Sequence, residues 1–369
     1  MFIRRLEVRT FRNHRQTSLE FDSPVNLIVG NNGQGKTNLL DAIYLSALTK
    51  SFQVSSDLHC IMHGADGYLV SQETNDEAGR SYHIQVRMDR LEGKTCFLHK
   101  ERLQGSSDLI GLIPTVLLTL EDRFITMGSP ADRRKFIDGI LYQVSPAYID
   151  HSRKYRRALR QRNDLLVSGS RNTPSWSDLL DSWTDELITY AVSIVSRRLD
   201  LVRELNDRLA SLFEEDLSGF EKPELNYLCE GIREPDPASL IDQYRSVFRD
   251  LKGEEAARQV TLAGPHRDDM GITFNGQDVR YFASQGQHKH LLLMLKMASF
   301  FYLKEKKSET PLLLLDDMFS ELDSSRLSVF SRFLPRFGQV FVTMTNRELL
   351  PVDSPFSIFT VSEGTVTRQ

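Results

Sequence analysis

Long hydrophobic runs, paired cysteines and a large net charge are all missing from this 369-residue sequence. No apolar run approaches the roughly 18 residues that a membrane-spanning helix requires, and residues 1–15 are too charged for a secretory signal. The three cysteines, Cys60, Cys96 and Cys229, are odd in number and far apart, so neither a disulfide framework nor a zinc site is expected. The sequence therefore predicts a cytoplasmic protein with no membrane association and with reduced cysteines.

The charge balance also limits how the chain could bind nucleic acid. A formal net charge of -4 excludes a uniformly basic surface, so any contact with DNA must come from local basic patches. The hydrophobic fraction of 40% and the charged fraction of 26% are those of an ordinary globular protein, and the chain is long enough for one large or two moderate cores.

One strong motif is present, the segment G-N-N-G-Q-G-K-T from Gly30 to Thr37. An apolar run over Val25–Val29 precedes it, and the helix-like spacing of Leu39, Leu40 and Ile43 follows it. This order of strand, glycine loop and helix is the context that a phosphate-binding loop requires. We therefore predict that the segment binds the phosphates of a nucleotide.

The residue types in this loop explain the predicted chemistry. Its glycines allow consecutive backbone N–H groups to point at one anion, at the positive end of the helix dipole. Lys36 can reach the β- and γ-phosphates as a binding and catalytic residue, and Thr37 supplies a hydroxyl to Mg²⁺. The predicted contacts of the nucleotide are Gly30, Asn31, Asn32, Gly33, Gln34, Gly35, Lys36, Thr37 and Asn38.

The N-terminal segment F-R-N-H-R, residues 11–15, leaves two interpretations open. Five arginines and one glutamate fall within the first fifteen residues, an excess of positive charge that is typical of a solvated edge strand. The alternative is that Arg12 lies near the bound nucleotide and is a further contact of it.

A pair of carboxylates supplies the second half of the predicted site. Asp316 and Asp317 follow the run P-L-L-L-L over Pro311–Leu315, which is typical of a buried strand. A strand of this kind carries an aspartate to the metal beside a phosphate loop. We predict that Asp316 acts on Mg²⁺ through water and that Asp317 orients or deprotonates the attacking water.

A second anion-binding helix start is predicted at Ser284–Lys289, just before the apolar stretch Leu291–Leu303. Its serine can cap the helix, and its glycine allows close approach of a ligand. Such a segment ahead of an aspartate pair is the layout of the ABC-type ATPases. The predicted contacts of this signature segment are Ser284, Gly286 and Gln287.

The chain is predicted to divide into a strand-rich core and a helical insertion. Residues 1–120 and 258–369 would form one discontinuous core lobe, and residues 121–257 an inserted lobe built on an antiparallel helix pair. Predicted strands cover Phe2–Val8, Gln16–Phe21, Val25–Val29, Ser81–Met88, Thr95–Leu98, Thr115–Leu120, Gln259–Leu262 and Gly271–Phe274, and irregular chain covers Glu221–Ser239.

A basic run in the insertion, His151–Arg162, has two interpretations. A charge run on a helix is usually a solvated face. Tyr155 among the arginines instead favours contact with a DNA backbone, which requires basic side chains but no sequence code. The candidate DNA-binding residues are Arg153, Lys154, Arg156, Arg157 and Arg160.

Six segments together make the chain resemble the RecF family of bacterial recombination mediators, whose ATPase head is similar to those of SMC proteins and ABC transporters. The first two and the last two segments separate ABC-type ATPases from other phosphate-loop proteins, and the middle two are typical of RecF. The segments are L-E-V-R-T-F-R-N-H at Leu6, G-N-N-G-Q-G-K-T at Gly30, G-S-P-A-D-R-R-K-F-I-D at Gly128, G-P-H-R-D-D at Gly264, S-Q-G-Q-H-K at Ser284 and L-L-L-D-D-M-F-S-E-L-D at Leu313.

The resemblance implies an α/β fold, an ABC-type phosphate-loop ATPase head with an inserted all-helical lobe, that dimerises head to tail around two ATP molecules. Ser284 and Gly286 of one subunit would touch the γ-phosphate held by Lys36 and Thr37 of the other, and Ser320–Asp323 would meet its own copy. It also implies binding of DNA at single-strand/double-strand junctions on the upper surface of the dimer. RecR and RecO would be partners in loading RecA there.

Two positions depart from the wider ABC pattern. Asp317 stands where most ABC ATPases have glutamate, and its shorter side chain should hold the attacking water less well. The usual histidine is replaced within residues 340–346 by Thr343 or Thr345. We therefore expect a weak, DNA-stimulated ATPase whose slow hydrolysis times a clamp and does not drive a motor.

Three rival functions share parts of this pattern. An ATPase subunit of a membrane transporter would leave the large helical lobe and its basic run without a use. A phosphate-loop kinase should lack the signature at Ser284, and the ATPase head of an SMC-like nuclease complex should carry further metal-ligand side chains beyond Asp316 and Asp317. The sequence favours an ATP-gated DNA-binding switch of DNA repair and replication.

Overall fold

The computed structural model describes residues 1–168, 174–216, 222–318, 333–345 and 356–369. Strands in this part are β1 (Phe2–Phe11), β2 (His14–Glu20), β3 (Val25–Val29), β4 (Gly67–Asn75), β5 (Ser81–Asp89), β6 (Gly93–Leu98), β7 (Glu101–Arg102), β8 (Thr115–Leu118), β9 (Pro223–Leu228), β10 (Asp269–Phe274), β11 (Gln277–Asp278), β12 (Leu312–Asp316), β13 (Val340–Met344), β14 (Phe356–Ser362) and β15 (Thr365–Arg368). Helices are α1 (Lys36–Leu48), α2 (Arg123–Met127), α3 (Pro130–Val144), α4 (Pro146–Val167), α5 (Pro174–Asp216), α6 (Leu240–Arg258), α7 (Val279–Phe282) and α8 (Gln285–Lys307). None of these described helices is both long enough and apolar enough to cross a membrane.

The chain folds as two compact units. The first contains Met1–Arg123 and Lys289–Gln369, with a short stretch that begins at Glu214, and the second contains the described residues of Phe124–Phe213 and Ser218–His288. Two six-stranded sheets belong to the first unit, and a three-stranded sheet and α5 belong to the second. Each unit therefore has its own sheet and its own helices.

A six-stranded sheet in the order β15-β14-β3-β13-β12-β8 positions the phosphate loop. Its strands run parallel except for β15, which pairs antiparallel with β14 at one edge. The central strands β3, β13 and β12 are mostly apolar and buried along their length, which is typical of a parallel sheet covered on both faces. The register pairs Asp316 with Thr343 and Thr343 with Ile28, so three carboxyl ends meet at one edge.

Helix α1 packs against this sheet and against the antiparallel sheet β2-β1-β4-β5-β6-β7. Ten of its thirteen residues are buried, and a helix that is buried on all sides belongs to a core. One apolar cluster joins Leu39 and Ile43 of α1 to Val70 of β4 and Phe341 of β13. The first turn of α1, where the phosphate loop ends, is therefore fixed from both sheets.

Two buried glutamines connect these layers. Gln339 accepts a hydrogen bond from the Ile3 backbone N–H at 2.6 Å and donates to the Ile3 carbonyl at 3.0 Å, which joins β1 to the start of β13. Gln72 of β4 accepts a hydrogen bond from Ser46 of α1 at 2.6 Å. Because several buried side chains of β4 are polar, the sequence shows no apolar alternation there and no strand is predicted.

Most of the predicted strands are confirmed, and two predictions are wrong. Gln259–Leu262 is no strand in the described chain, because Gln259 ends α6 with a left-handed φ of 58°. Pro223–Leu228, within the segment predicted to be irregular, forms β9, and its alternate side chains are buried. The confirmed strands are β1, β2, β3, β5, β6, β8, β10 and β12.

The second unit contains the predicted antiparallel helix pair, α4 and α5. Trp176 near the start of α5 donates its indole N–H to the Leu165 carbonyl near the end of α4, at 3.0 Å. Arg198, further along α5, donates to the Tyr148 hydroxyl near the start of α4, also at 3.0 Å. The sheet β11-β10-β9 belongs to the same unit, so the inserted lobe is not made of helices alone.

The two segments typical of RecF, at Gly128 and Gly264, pack together in this unit. Arg133 donates to both carboxylate oxygens of Asp269, at 2.6 and 2.8 Å, and it is itself buried. Asp138 of the first segment accepts from the buried Arg198. Removing one partner of a buried ion pair leaves an uncompensated charge, so these motif residues stabilise the second unit.

His266, in the segment at Gly264, is kept neutral by burial. Its Nδ1 lies 2.6 Å from the Tyr155 hydroxyl and its Nε2 lies 3.3 Å from the Thr261 carbonyl, an arrangement in which Nε2 carries the proton. Burial lowers the pKa of His266 to about 4, and nearby arginine charges act in the same direction. Gly264 has a φ of 120° and a Cβ there would collide with the Tyr155 hydroxyl, so glycine is required.

Protonation of His266 should destabilise the second unit in acid. Because its folded pKa of about 4 lies below the ordinary 6.5, the stabilisation is complete above 6.5 and is lost as the pH falls towards 4. When the pH is lowered from about 7 to about 5, we expect the wild type to lose about 2 kcal/mol more of its free energy of unfolding than the variant His266→Gln loses. Urea denaturation at both pH values measures these losses. Equal losses in both proteins would contradict the assignment.

Candidate functional site: a phosphate-binding loop with a carboxylate pair

Three elements of the first unit converge on the phosphate loop. Thr37 in the first turn of α1 donates its hydroxyl to Asp316 Oδ1 at 2.8 Å, and Thr343 of β13 donates to the same oxygen at 2.7 Å. The backbone N–H of Asp317 donates in turn to Thr343 Oγ1 at 2.9 Å. The structure thus brings Thr37 and the two aspartates into one site, although Thr37 and Asp316 are 279 positions apart.

Thr343 is the threonine that touches the aspartate pair. It is fully buried on β13, whereas Thr345 follows the strand and is exposed. Asp317 has a φ of 49°, in the left-handed region that few residues other than glycine adopt. The hydrogen bond from its N–H to Thr343 holds it there, so the chain turns sharply where the carboxylates are presented.

Lys36 is buried under the loop. Its Nζ donates to the carbonyl of Gly30 at 2.8 Å and to that of Asn31 at 3.0 Å. Burial lowers the pKa of Lys36, and the negative charges of Asp317 and Asp316 oppose that shift. Burial raises the pKa of Asp316, against its two threonine hydrogen bonds. An anion beside Lys36 and a cation beside Asp316 would favour the charged form of each.

The β1–β2 turn supports the loop from one side. Asn13 donates to the Gln34 carbonyl at 2.9 Å and accepts from the Asn38 side chain at 2.8 Å. The imidazole of His14 lies 3.0 Å from the Gly35 carbonyl, and burial lowers the pKa of this histidine. Gly35 has a φ of 113°, and a Cβ there would collide with the Asn13 side chain, so the turn and the loop fit only with glycine.

The β14–β15 turn supports the loop from the other end of the chain. Gly364 donates its N–H to the Gln34 carbonyl at 3.0 Å, and Glu363 donates its N–H to Gln34 Oε1 at 2.7 Å. A Cβ at Gly30 would collide with the Val361 carbonyl of β14. Two hairpins therefore hold the loop in its curled shape.

No motif in the sequence marks these residues as supports of the loop. Asn13 and His14 lie in the segment noted for its arginines, and Glu363 and Gly364 lie in no motif at all. A glutamate–glycine pair between alternating residues is a hairpin signal, but it does not say what the turn touches. The contact with Gln34 depends on the sheet order.

Arg12 reaches α1 beyond the loop. Its Nη2 lies 3.3 Å from both Asp41 Oδ2 and Ser51 Oγ. Asp41 is buried, and burial raises its pKa against hydrogen bonds from Ser51 and the backbone of Phe52. The Arg12 guanidinium is therefore not freely solvated, as a charge on an exposed edge strand would be. Its contact with a bound nucleotide stays a prediction.

The site fits a nucleotide phosphate group and a metal ion. No side chain of the described residues caps α1, so its first N–H groups are available to an anion. The oxygens of Thr37 and Asp316 are 2.8 Å apart, close enough to hold one Mg²⁺ directly or through water. Within the described ranges, no group of three or more His, Cys, Asp and Glu side chains could hold a metal.

The predicted signature segment begins α8 in the second unit. Ser284 Oγ accepts from the Gln287 N–H at 3.2 Å, and Gln287 Oε1 accepts from the Ser284 N–H at 2.7 Å. This reciprocal capping box leaves the hydroxyl hydrogen of the exposed Ser284 available to another acceptor. Gly286 follows in the first turn, partly exposed. The predicted self-contacting loop, Ser320–Asp323, lies outside the described residues.

The basic face of α4 is exposed, but its tyrosine is not. Arg153 and Lys154 both pair with Asp150 at 2.8 Å. Tyr155 is only 3% exposed and bonds to His266, so it is not available to DNA beside the arginines, whose own DNA contact stays a prediction. The residues of this face that have no ion-pair partner in the described chain are Arg156, Arg157 and Arg160.

Comparison with known proteins gives the family. The model of the RecF/RecN/SMC N terminal domain matches residues 2–367. A DNA replication and repair protein RecF from Chloroherpeton thalassium is 38% identical over 349 residues, which cover 93% of this chain and 95% of that protein. The RecF protein of Bacillus subtilis is 34% identical over 349 residues, which cover 94% of this chain and 94% of that protein.

Solved structures agree with these relatives. The recombination mediator protein RecF bound to ATP, of the RecFOR pathway, superposes with a TM-score of 0.91 at 29% identity over 100% of this chain and 97% of that one. An Smc head bound to the C-terminal winged-helix domain of ScpA, with a TM-score of 0.52 at 16% identity, shares the fold alone. The fold is thus that of the ABC-type ATPase heads. The chain belongs to the RecF/RecN/SMC N-terminal domain family and, within it, to the RecF proteins.

Proposed function

We propose that this chain is an ATP-gated DNA-binding switch of recombinational DNA repair and replication. The observation that carries the proposal is the hydrogen-bonded set of Thr37, Asp316 and Thr343 beside a phosphate loop with an uncapped helix. The likeness to a RecF bound to ATP over the whole chain supports ATP as the nucleotide. A phosphate loop alone would fit many nucleotide-binding proteins.

Each residue of the site has a defined role in this proposal. Lys36 binds the β- and γ-phosphates, Thr37 and Asp316 hold Mg²⁺, and Asp317 orients or deprotonates the attacking water. The metal, when bound, neutralises phosphate charge as the bond to the γ-phosphate breaks. Because the side chain of Asp317 is shorter than that of glutamate, its hold on water is loose and hydrolysis is slow. The chain is then a weak, DNA-stimulated ATPase.

The switch is the association of two copies head to tail. Each copy contributes Ser284, Gly286 and Gln287 to the γ-phosphate bound by the other copy. The capping box supports this arrangement, because it fixes an exposed serine with a hydroxyl hydrogen still to donate. A charge-assisted hydrogen bond contributes roughly 1.5 to 3 kcal/mol, so several at each of two sites shift association by orders of magnitude.

DNA binding is proposed for the exposed face of α4. Arg156, Arg157 and Arg160 are the best candidates there, since Arg153 and Lys154 already share Asp150. Backbone contacts of this type suit a single-strand/double-strand junction, where shape matters more than sequence. The solved RecF–ATP structure is of a protein of the RecFOR pathway, which supports RecR and RecO as partners of this chain. In this proposal RecA is loaded downstream of them, and the chain acts in the cytoplasm.

Ser284→Arg should separate nucleotide binding from dimerisation. The variant should bind a non-hydrolysable ATP analogue as the wild type does, because Ser284 lies outside the phosphate loop, but it should remain monomeric. Light scattering with no nucleotide, with ADP and with the analogue measures the mass. Lys36→Ala is the comparison, since it should lose both binding and dimerisation. Loss of analogue binding by Ser284→Arg would contradict the role in trans.

Asn13→Ala should weaken ATP binding by up to roughly thirtyfold, because it removes two hydrogen bonds that hold the loop, each contributing about 1 kcal/mol. Fluorescence titration measures the dissociation constant. Asn206→Ala is a matched control, since it also removes two hydrogen bonds, both to Leu225 of the second unit. It should lower the melting temperature without changing ATP affinity. Equal ATP affinity in all three proteins would refute the support role.

Replacing Arg156, Arg157 and Arg160 by alanine should weaken DNA binding and flatten its salt dependence. Each lost phosphate contact should reduce the slope of log affinity against log salt by about 1. Binding to a junction substrate with the ATP analogue is measured at several salt concentrations. The control replaces Arg245, Arg249 and Arg258, which are exposed on α6 of the same unit. An unchanged slope in the α4 variant would favour a solvated face.

A further inference from the structure

The second unit exposes large apolar side chains in two short segments. Phe124 and Met127 of α2 are 45% and 52% exposed, and Tyr281 and Phe282 of α7 are 76% and 67% exposed. Exposed aromatic side chains this large are costly in water unless another surface covers them. We call these four residues the apolar patch.

A chain of polar contacts ties the two segments together. Arg133 donates to the carbonyl of Gly128, the residue after Met127, and to both oxygens of Asp269. Asp269 also lies 3.9 Å from Arg280, the residue before Tyr281. The backbone next to each end of the apolar patch is therefore linked through one carboxylate, that of Asp269.

The backbone that carries the aromatic pair is held in the short helix α7, which Asp278 caps. Asp278 accepts from the Arg280 backbone at 2.9 Å and binds its guanidinium as well. The guanidinium carbon of Arg280 lies 5.5 Å from the centre of the Tyr281 ring. A fixed aromatic side chain loses little conformational entropy when a partner covers it, which is what an interface anchor requires.

The position of the pair identifies the partner. Phe282 lies two residues before Ser284, so their Cα atoms are separated by roughly 7 Å at most. Whatever brings a γ-phosphate to Ser284 must also approach Phe282. In the proposed dimer, the surface that approaches Phe282 belongs to the other copy. Because the dimer is symmetric, the patch of each copy is buried against the other.

We propose that the apolar patch of Phe124, Met127, Tyr281 and Phe282 anchors the ATP-dependent dimer by packing against a second copy of this chain. The inference rests on the proposed function, since it requires Ser284 to act in trans. It adds a role for side chains that never touch nucleotide. The signature residues make dimerisation depend on ATP, and the patch supplies much of its affinity.

The test is the dimer dissociation constant with a non-hydrolysable ATP analogue, measured by sedimentation across a range of protein concentrations. Changing Tyr281 and Phe282 together to serine should weaken the dimer at least tenfold, as expected for an interface hot spot of about 1.4 kcal/mol. Leu179→Ser with Ile241→Ser is the matched control, because these side chains of the same unit are each 47% exposed but lie away from Ser284 in sequence. That control should dimerise as the wild type does.

Analogue affinity and melting temperature of the serine variant should match the wild type. If the wild type and the serine variant dimerise equally well with the analogue, the patch proposal is overturned and the switch stays intact. The patch would then serve a different protein partner. A wild type that stays monomeric with the analogue would overturn the switch, and the patch proposal with it.

Discussion

The hydrogen bonds to one partly buried carboxylate hold the site together. Asp316 is partly withdrawn from water at the end of β12, and this burial raises its pKa. The hydroxyls of Thr37 and Thr343 compensate for that loss, and in doing so they fix the phosphate loop against two strands of the sheet. A buried acceptor without such donors would cost stability, so the order β3-β13-β12 and the chemistry of the site depend on each other.

The loop itself depends on contacts from both ends of the chain. Asn13 and Gly364 bind the same carbonyl of Gln34, although they are separated by most of the sequence. Glycine is required at Gly35 because the support comes so close. The curled loop is therefore prepared by tertiary structure, which reduces the ordering that a nucleotide must bring about when it binds.

Motifs that identify a family are not always parts of its site. The segments at Gly128 and Gly264 carry part of the resemblance to RecF, yet Arg133 of the first pairs with Asp269 of the second, and Asp138 pairs with Arg198 inside the second unit. They keep that unit folded, and it presents both Ser284 and the basic face of α4. Buried ion pairs are demanding in geometry, which explains why such residues form recognisable sequence segments.

The sequence by itself determined the phosphate loop, the strand before Asp316 and most other strands, because each is a local pattern of glycine, apolar run or alternation. It could not determine β4, where buried polar side chains such as Gln72 are satisfied by partners elsewhere in the chain. It also missed β9, because the short alternation of Pro223–Leu228 lies in a segment rich in proline and charge. The tertiary structure alone decided that Thr343 and not Thr345 contacts Asp316, and that Tyr155 points inward among the arginines of α4. The reason is that strand register and helix phase fix where a side chain points, and packing against distant residues sets both.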